Sequence, residues 1–184
     1  MKIVLNRKQI KEGIIKIANT INKKHKNDPT PILMVCVLRG GFMFFSDLLK
    51  EIKIDIEIDF LRCSSYKGRF QIKKVGVSQG IWESPDKKHI YIIDDILDSG
   101  NTMKAIVEYL NQPLRDGTKS DIKSINTVTV IYKQNVDFPD TLRIFDVKNL
   151  DDWYVGYGMD DDKGFNRNLE VIYKLWKKKI KIKI

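Results

Sequence analysis

IYIIDDILDSGNTM, residues Ile90–Met103, runs an apolar stretch into three carboxylates, Asp94, Asp95 and Asp98, and then into a turn of small donors, Ser99-Gly100-Asn101-Thr102. Three anions so close repel one another, and a cation or a shared proton makes such a cluster tolerable. Gly100 lets the backbone approach a ligand closely. Ser99, Asn101 and Thr102 add side-chain donors. The segment from Asn101 to Gln112 has a helical pattern, so its first N–H groups and positive dipole end aim at the same point. Taken alone, the turn reads as an ordinary helix cap made by Asp98 or Ser99. The buried strand and the acidic pair ahead of it favour a phosphate cradle beside a metal-compatible site.

Working outward, the other segments place this stretch in a sheet. Asn6 is positioned to cap a helix on which Ile10, Ile14, Ile17, Ala18 and Ile21 share one face. The helix fades in the polar run Asn22–Asp28, and Pro29 and Pro31 mark the break. PILMVCVL is a continuous apolar run of strand length that ends at Arg39-Gly40-Gly41, and Phe42–Ile52 reads as a buried helix. Ile54, Ile56, Ile58 and Phe60 alternate with polar residues up to Cys63, the period of a half-exposed strand. SSYKGRFQIKK reads as a mobile loop, with Val75–Trp82 as the strand returning from it. INTVTVIYK and TLRIFDV complete the strands. Apolar strands that feed helices imply an α/β fold with a central parallel sheet. Ligands of such sheets bind beyond the carboxyl ends of the strands, where Arg39-Gly40-Gly41 and Asp94–Thr102 both fall.

A chain of 184 residues suits one domain with a real core, and 42% hydrophobic against 31% charged residues argues against wholesale disorder. No apolar run reaches the length of a membrane span, and MKIVLNRKQIKEG lacks the pattern of a secretory signal. Cys36 and Cys63 have no metal-ligand spacing and read as reduced thiols of a cytoplasmic protein. His25 and His89 are too sparse for a histidine-based metal site, so any metal is expected to be hard, oxygen-bound and Mg²⁺-like. The net charge of +9 comes mostly from scattered lysines, apart from the basic tail Lys174–Ile184.

IIDDILDSGNT resembles the phosphoribosyl pyrophosphate motif of the type I phosphoribosyltransferases, and VLRGGFMFFSDL, SSYKG, IYK and WYVGYGMD follow the order and rough spacing of the hypoxanthine-guanine branch. The resemblance spans about Asn6 to Tyr173. It implies one domain over residues 1–184 with a small hood, formed from the N-terminus and about 150–175, and a flexible loop over about 64–80. It further implies that Asp94 and Asp95 lie beside the ribose hydroxyls and help hold Mg²⁺, with Asp160 as a second metal-side carboxylate. The first of the pair is commonly Glu in the family, and Asp94 is one methylene shorter. Asp98 matches the general base near N7 of the purine, and Ser99, Gly100, Asn101 and Thr102 match the 5′-phosphate loop. Leu38, Arg39 and Gly40 match the pyrophosphate loop, whose Leu38–Arg39 peptide is expected to be cis. Lys133 matches the lysine that bonds the purine 6-oxo group, Trp153 the stacking aromatic and Tyr154 the residue whose backbone reads the base edge. Ser65 and Tyr66 match the loop that closes over substrate. Arg167-Asn168-Leu169 fits the family's Arg-x-Leu pyrophosphate step one residue late, as if Gly164 marks an insertion.

The activity implied is purine salvage: transfer of the phosphoribosyl group from phosphoribosyl pyrophosphate to N9 of hypoxanthine, and of guanine, by a homodimer or homotetramer. The rival within enzymes prefers xanthine. The rival from another class is a nucleic-acid-binding regulator on the same fold, with the basic tail as its contact. Asp98, Lys133 and a stacking aromatic together favour the enzyme. A membrane role for the tail is disfavoured, because its Lys/Ile alternation suits a solvated end better than an amphipathic helix.

Overall fold

Asn6 opens the first helix with a reciprocal cap. Its Oδ1 accepts from the Gln9 N–H at 3.0 Å, and the Gln9 Oε1 accepts from the Asn6 N–H at 2.9 Å. The helix, α1 (Arg7–Lys24), buries Ile10, Ile14, Ile17, Ala18 and Ile21 along one stripe, as the spacing predicts. The computed structural model describes residues 1–67, 73–114, 117–134, 138, 140–148 and 152–175, and of residues 65–67 and 73–74 the backbone alone.

The large sheet has six strands in the order β4 (Lys73–Gln79), β3 (Glu57–Lys67), β2 (Ile32–Leu38), β5 (His89–Leu97), β6 (Ser124–Lys133) and β7 (Leu142–Val147). All neighbours run parallel except β3 and β4, which form an antiparallel hairpin at one edge. Alternate residues of the buried central strands serve opposite faces. Met34, Cys36, Tyr91 and Ile93 join the core that packs on α1 and α2 (Phe42–Glu51). Leu33, Val35, Val37, Ile90 and Ile92 join the core that packs on α3 (Asn101–Leu110). Helices on both faces explain why these strands are apolar throughout.

A second, three-stranded sheet in the order β1 (Lys2–Leu5), β9 (Ile172–Leu175) and β8 (Trp153–Val155) is antiparallel throughout. Leu5, Tyr154, Tyr157, Met159 and Ile172 pack into the same core as α1. The strand pattern differs from expectation in two places. SSYKGRFQIKK is not a loop over its whole length: Ser64–Lys67 continue β3 and pair with β4 as far as Lys67 opposite Lys73. An edge hairpin needs no apolar anchor, so its polar residues hid it. The alternating strand also starts at Glu57 rather than Ile54.

Candidate active site

The carboxyl ends of β2 and β5 form one wall. A cavity of about 330 Å³ is lined by Leu38, Cys63, Asp94, Asp95, Asp98, Ser99, Gly100 and Thr102, among others. The strand β5 runs on through the acidic pair to Leu97, so Asp94 and Asp95 are strand residues, and both line this cavity. After β2 the Leu38–Arg39 peptide is cis. Gly40 follows it against Asp95: a Cβ there would sit 2.0 Å from the Asp95 Oδ2. Gly158 faces the other side of the same loop, with a φ of +100° and space that a Cβ would fill 2.0 Å from the Gly40 carbonyl oxygen. Two glycines thus let the segment after β8 and the loop after β2 close on Asp95. The Gly158 contact was missed by sequence reasoning, and only the glycine in GYGMD hinted at it.

Asp94 is buried, and its carboxyl is held well above the ordinary range by desolvation and by the neighbouring Asp95 charge. Burial also raises Asp95, against the lowering effects of hydrogen bonds and of the Arg167 charge. Each carboxylate accepts from the next residue's backbone, Asp95 N–H to the Asp94 Oδ1 and Ile96 N–H to the Asp95 Oδ1, both at 2.9 Å, and the two carboxyls meet each other. Cys36 and Cys63 are free thiols, pushed up by burial, and by these acids, to about 12 and about 11. Neither is a nucleophile at neutral pH.

Gly100 takes the left-handed conformation, φ 76°, as the N-cap of α3, and no side chain caps the helix there. Gly100, and neither Asp98 nor Ser99, is the N-cap residue, and Ser99 reaches the helix through its long bond from the first helical N–H. The Ser99 Oγ lies 3.4 Å from the Asn101 nitrogen as a long hydrogen bond. Ser99 and Asn101 are exposed, so the turn faces solvent with its donors.

Asp98 and Lys133 meet across the gap between β5 and β6. Leu97 pairs with Tyr132 in register, which puts the next residue of each strand side by side. The Lys133 Nζ lies 2.6 Å from the Asp98 Oδ1, the lysine side chain buried and the aspartate side chain 61% exposed. Trp153 on β8 is half exposed, its ring anchored by an Nε1–H donated to the Asp160 carbonyl at 3.3 Å. Tyr154 beside it is buried, with its hydroxyl donating to the Asp152 Oδ2 at 3.2 Å.

Arg167 reaches the same end. Its Nη2 is 2.5 Å from the Asp160 Oδ2, and its Nη1 donates to the Gly158 carbonyl at 2.7 Å. The turn that carries it is built on Asp161, whose carboxylate accepts from the backbone of Lys163 and Phe165 and from the Asn166 Nδ2. Asp161 is therefore a turn-former rather than a freely solvated charge. Gly164, φ +85°, sits in this turn. Arg39 is exposed beside the loop. The backbone of Ser65 and Tyr66 lies in the β3–β4 hairpin opposite Val75 and Lys74, their side chains fall outside the described residues, and the tail beyond Leu175 does as well.

The arrangement places an acidic pair, an anion-facing helix turn, a lysine–aspartate pair and an exposed indole at one end of the sheet. Residues 2–162 match the family described as the phosphoribosyl transferase domain. A hypoxanthine phosphoribosyltransferase of Buchnera aphidicola is 32% identical, over 87% of this chain and 88% of that protein. A hypoxanthine-guanine phosphoribosyltransferase of Mycoplasma genitalium is 31% identical, over 92% and 93%. The crystal structure of a hypoxanthine phosphoribosyltransferase from Staphylococcus aureus superposes with a TM-score of 0.79 at 28% identity, covering 96% of this chain and 91% of that one. These relatives are named as enzymes, and none favours the nucleic-acid-binding alternative. The sheet order, the loop after β5 and the match along the chain agree: this protein belongs to the phosphoribosyltransferase family, in the company of the hypoxanthine phosphoribosyltransferases.

Proposed function

We propose that the protein is a purine salvage enzyme that transfers the 5-phosphoribosyl group from phosphoribosyl pyrophosphate to N9 of hypoxanthine, and also of guanine. The products are IMP or GMP and pyrophosphate. The observation that carries this reading is the Lys133–Asp98 pair at 2.6 Å, set beside the cavity lined by Asp94, Asp95 and the Ser99–Thr102 turn. An ammonium and a carboxylate side by side match a base that offers an oxo acceptor and an N–H donor on adjacent edges. Lys133 donates to O6, and Asp98 accepts the proton carried at N7 as N9 bonds to C1′. The C1′–O bond breaks with its electron pair leaving on pyrophosphate. Adenine presents an amino group to the ammonium and is disfavoured.

The donor set fits Mg²⁺. Asp94 and Asp95 are adjacent oxygen ligands whose burial raises the cost of their charge, and a dication relieves it. Mg²⁺ commonly takes one or two carboxylates and completes its shell from phosphates and water. When bound, it neutralises negative charge on the pyrophosphate. Asp160 would stand on the metal side. Arg39, Leu38, Gly40 and Arg167 would bind the pyrophosphate, and Ser99, Gly100, Asn101 and Thr102 the 5′-phosphate. Trp153 would stack on the base, Tyr154 would read its edge through the backbone, and Ser65 and Tyr66 would close over the substrate and exclude water. The protein would work in the cytoplasm as a homodimer or homotetramer.

A spectrophotometric assay with phosphoribosyl pyrophosphate and Mg²⁺, offering hypoxanthine, guanine, xanthine and adenine in turn, tests the reading. Turnover of the 6-oxopurines with little or none of adenine is expected. A folded protein that binds phosphoribosyl pyrophosphate but turns over no purine would overturn it.

A further inference from the structure

The chain's two histidines, far apart in sequence, lie together at the amino ends of the central strands, opposite the cavity, with ring centroids 4.8 Å apart. His25 ends α1 as its C-cap, and His89 opens β5, its N–H donating to the Pro31 carbonyl just ahead of β2. Sparse in the sequence, they come together because β2 and β5 are neighbours in the sheet. Asp28, in the turn between α1 and β2, places its Oδ2 3.0 Å from the His89 Nε2 and 3.4 Å from the His25 Nδ1. One ligand atom from each of the three residues lies within 4.8 Å of the others, and among the described residues no other group of three His, Cys, Asp or Glu converges in this way.

The outer nitrogens are also fixed. The His25 Nε2 is 2.8 Å from the Tyr91 hydroxyl, and the His89 Nδ1 is 2.7 Å from the Ser124 Oγ. In the tautomers in which those hydroxyls accept, the lone pairs of the His25 Nδ1 and the His89 Nε2 face Asp28; in the other tautomer of His89, its Nε2–H donates to the Asp28 Oδ2 at 3.0 Å, and a metal ion would take the place of that proton. Partners of this kind hold metal-ligating imidazoles in tautomer and orientation. His25 is only 4% exposed, and its Nδ1 has no hydrogen-bond partner among the described residues. A proton or a cation between this buried nitrogen and the Asp28 oxygen 3.4 Å away makes the contact favourable. Burial, and then His89, hold His25 below its ordinary range, while the Thr30 N–H hydrogen bond holds Asp28 low. Neutral imidazole and ionised carboxylate are the forms that bind a metal.

We propose that His25, Asp28 and His89 form a site for a divalent transition-metal ion, with Zn²⁺ the best-fitting occupant, separate from the phosphoribosyl site. Zn²⁺ bonds to nitrogen and oxygen of about 2.0–2.1 Å give tetrahedral edges of roughly 3.3 Å. The edges of 3.0 and 3.4 Å to Asp28 already match, and the third, between the two imidazoles, lies within 4.8 Å and closes on binding. Mg²⁺ is a poor match for two imidazoles. A groove of about 560 Å³ that reaches His25 and Asp28 gives a path of entry. The nearby Lys24 ammonium is held by the Asn126 Oδ1 at 3.0 Å. The ion would tie the end of α1, the following turn and the start of β5 together, a structural clamp at the end of the sheet remote from the chemistry.

The test is titration of chelator-stripped protein with Co²⁺, read by visible absorption, followed by displacement with Zn²⁺. One equivalent per chain with micromolar or tighter affinity is expected, together with a rise in Tm on adding Zn²⁺. His89→Asn should weaken binding by more than about tenfold, and Ser124→Ala, which releases the ring, by about tenfold. The double variant Asp94→Asn/Asp95→Asn should bind as the wild type does, which separates this site from the acidic pair. Absence of stoichiometric binding in the wild type would overturn the proposal. So would undiminished binding in His89→Asn or, if that variant misfolds, in Asp28→Asn.

Discussion

Asp59 and the Asp94–Asp95 pair are carboxylates of the same sheet, treated in opposite ways. Each accepts from the N–H of the residue that follows it, so the local geometry is shared. Asp59 then receives two more backbone donors on its other oxygen, from Trp82 at 2.7 Å and Glu83 at 2.8 Å. Its charge is spent on holding the segment between β4 and β5 against β3. Asp94 and Asp95 receive no such donors among the described residues, and burial pushes both toward the protonated form. A carboxylate that the fold uses is saturated from within, whereas the pair proposed to hold Mg²⁺ is left to be satisfied by what arrives from solution.

Asp98 is a third case and carries the largest expected effect. Its side chain is mostly exposed, and its one ion-pair partner among the described residues is the Lys133 ammonium, which an asparagine can still meet as an acceptor. Asp98→Asn should lower kcat by about 10²–10⁴ with Tm little changed. Steady-state kinetics beside thermal denaturation checks this. Unchanged kcat would remove Asp98 from the chemistry and leave the acidic pair as the whole of the site.

Asp59→Ala should act in the reverse sense, on stability rather than rate. It strands the N–H groups of Phe60, Trp82 and Glu83 around a position that is only 6% exposed. The loss should be about 3 kcal/mol, a fall in Tm of roughly 6–12 °C for a chain of this size. Calorimetry reads it directly. A Tm within a degree or so of the wild type would show that the three bonds are replaced by water, and the contrast with Asp94 would lose its basis.

Lys133→Met comes next. The lysine is 4% exposed, so methionine keeps the packing and removes the charge. The lost charged hydrogen bond should reduce kcat/KM for hypoxanthine roughly 10–100-fold, and that for adenine much less, which narrows the preference. Equal losses for both bases would assign Lys133 to positioning Asp98 and not to reading O6.

How much of this was legible in the sequence differs by element. Where both faces of a strand are buried, as in β2 and β5, composition alone marks it, and the α1 stripe with Asn6 as its cap was equally plain, whereas the reciprocal bond to Gln9 was not read. The strands of the small sheet, β1, β8 and β9, are three or four residues long, too short to show a period. The loop after β5 was readable because its parts are contiguous: strand, acids, glycine turn and helix follow one another. Lys133 was not, since its meaning depends on the register between β5 and β6 that brings it to Asp98. The same holds for His25 with His89 and for Asp59 with Trp82, whose pairings arise only when distant segments become neighbours. The resemblance to a family supplied Lys133, whereas the other two pairings lay in no motif.

The smallest effect is the sharpest test of the comparison. Asp94 carries a carboxyl raised by burial and by Asp95, so the folded state holds a proton that the unfolded chain releases near the ordinary carboxylate value of about 3.9. Between that value and the raised one the folded protein binds more protons, and stability falls as pH rises. Asp94→Asn removes the penalty. Without ligands it should be more stable than the wild type at pH 7 by about 1 kcal/mol, a Tm gain of about 2–4 °C. The gain should shrink as the pH is lowered toward 4, where the wild-type pair is neutralised by protons. Saturating Mg²⁺ and phosphoribosyl pyrophosphate should reverse the order, because only the wild type then receives the full stabilisation of bound ligand. A variant less stable than the wild type at every pH would place Asp94 with Asp59, as a carboxylate the fold requires, and the division drawn between the two would not stand.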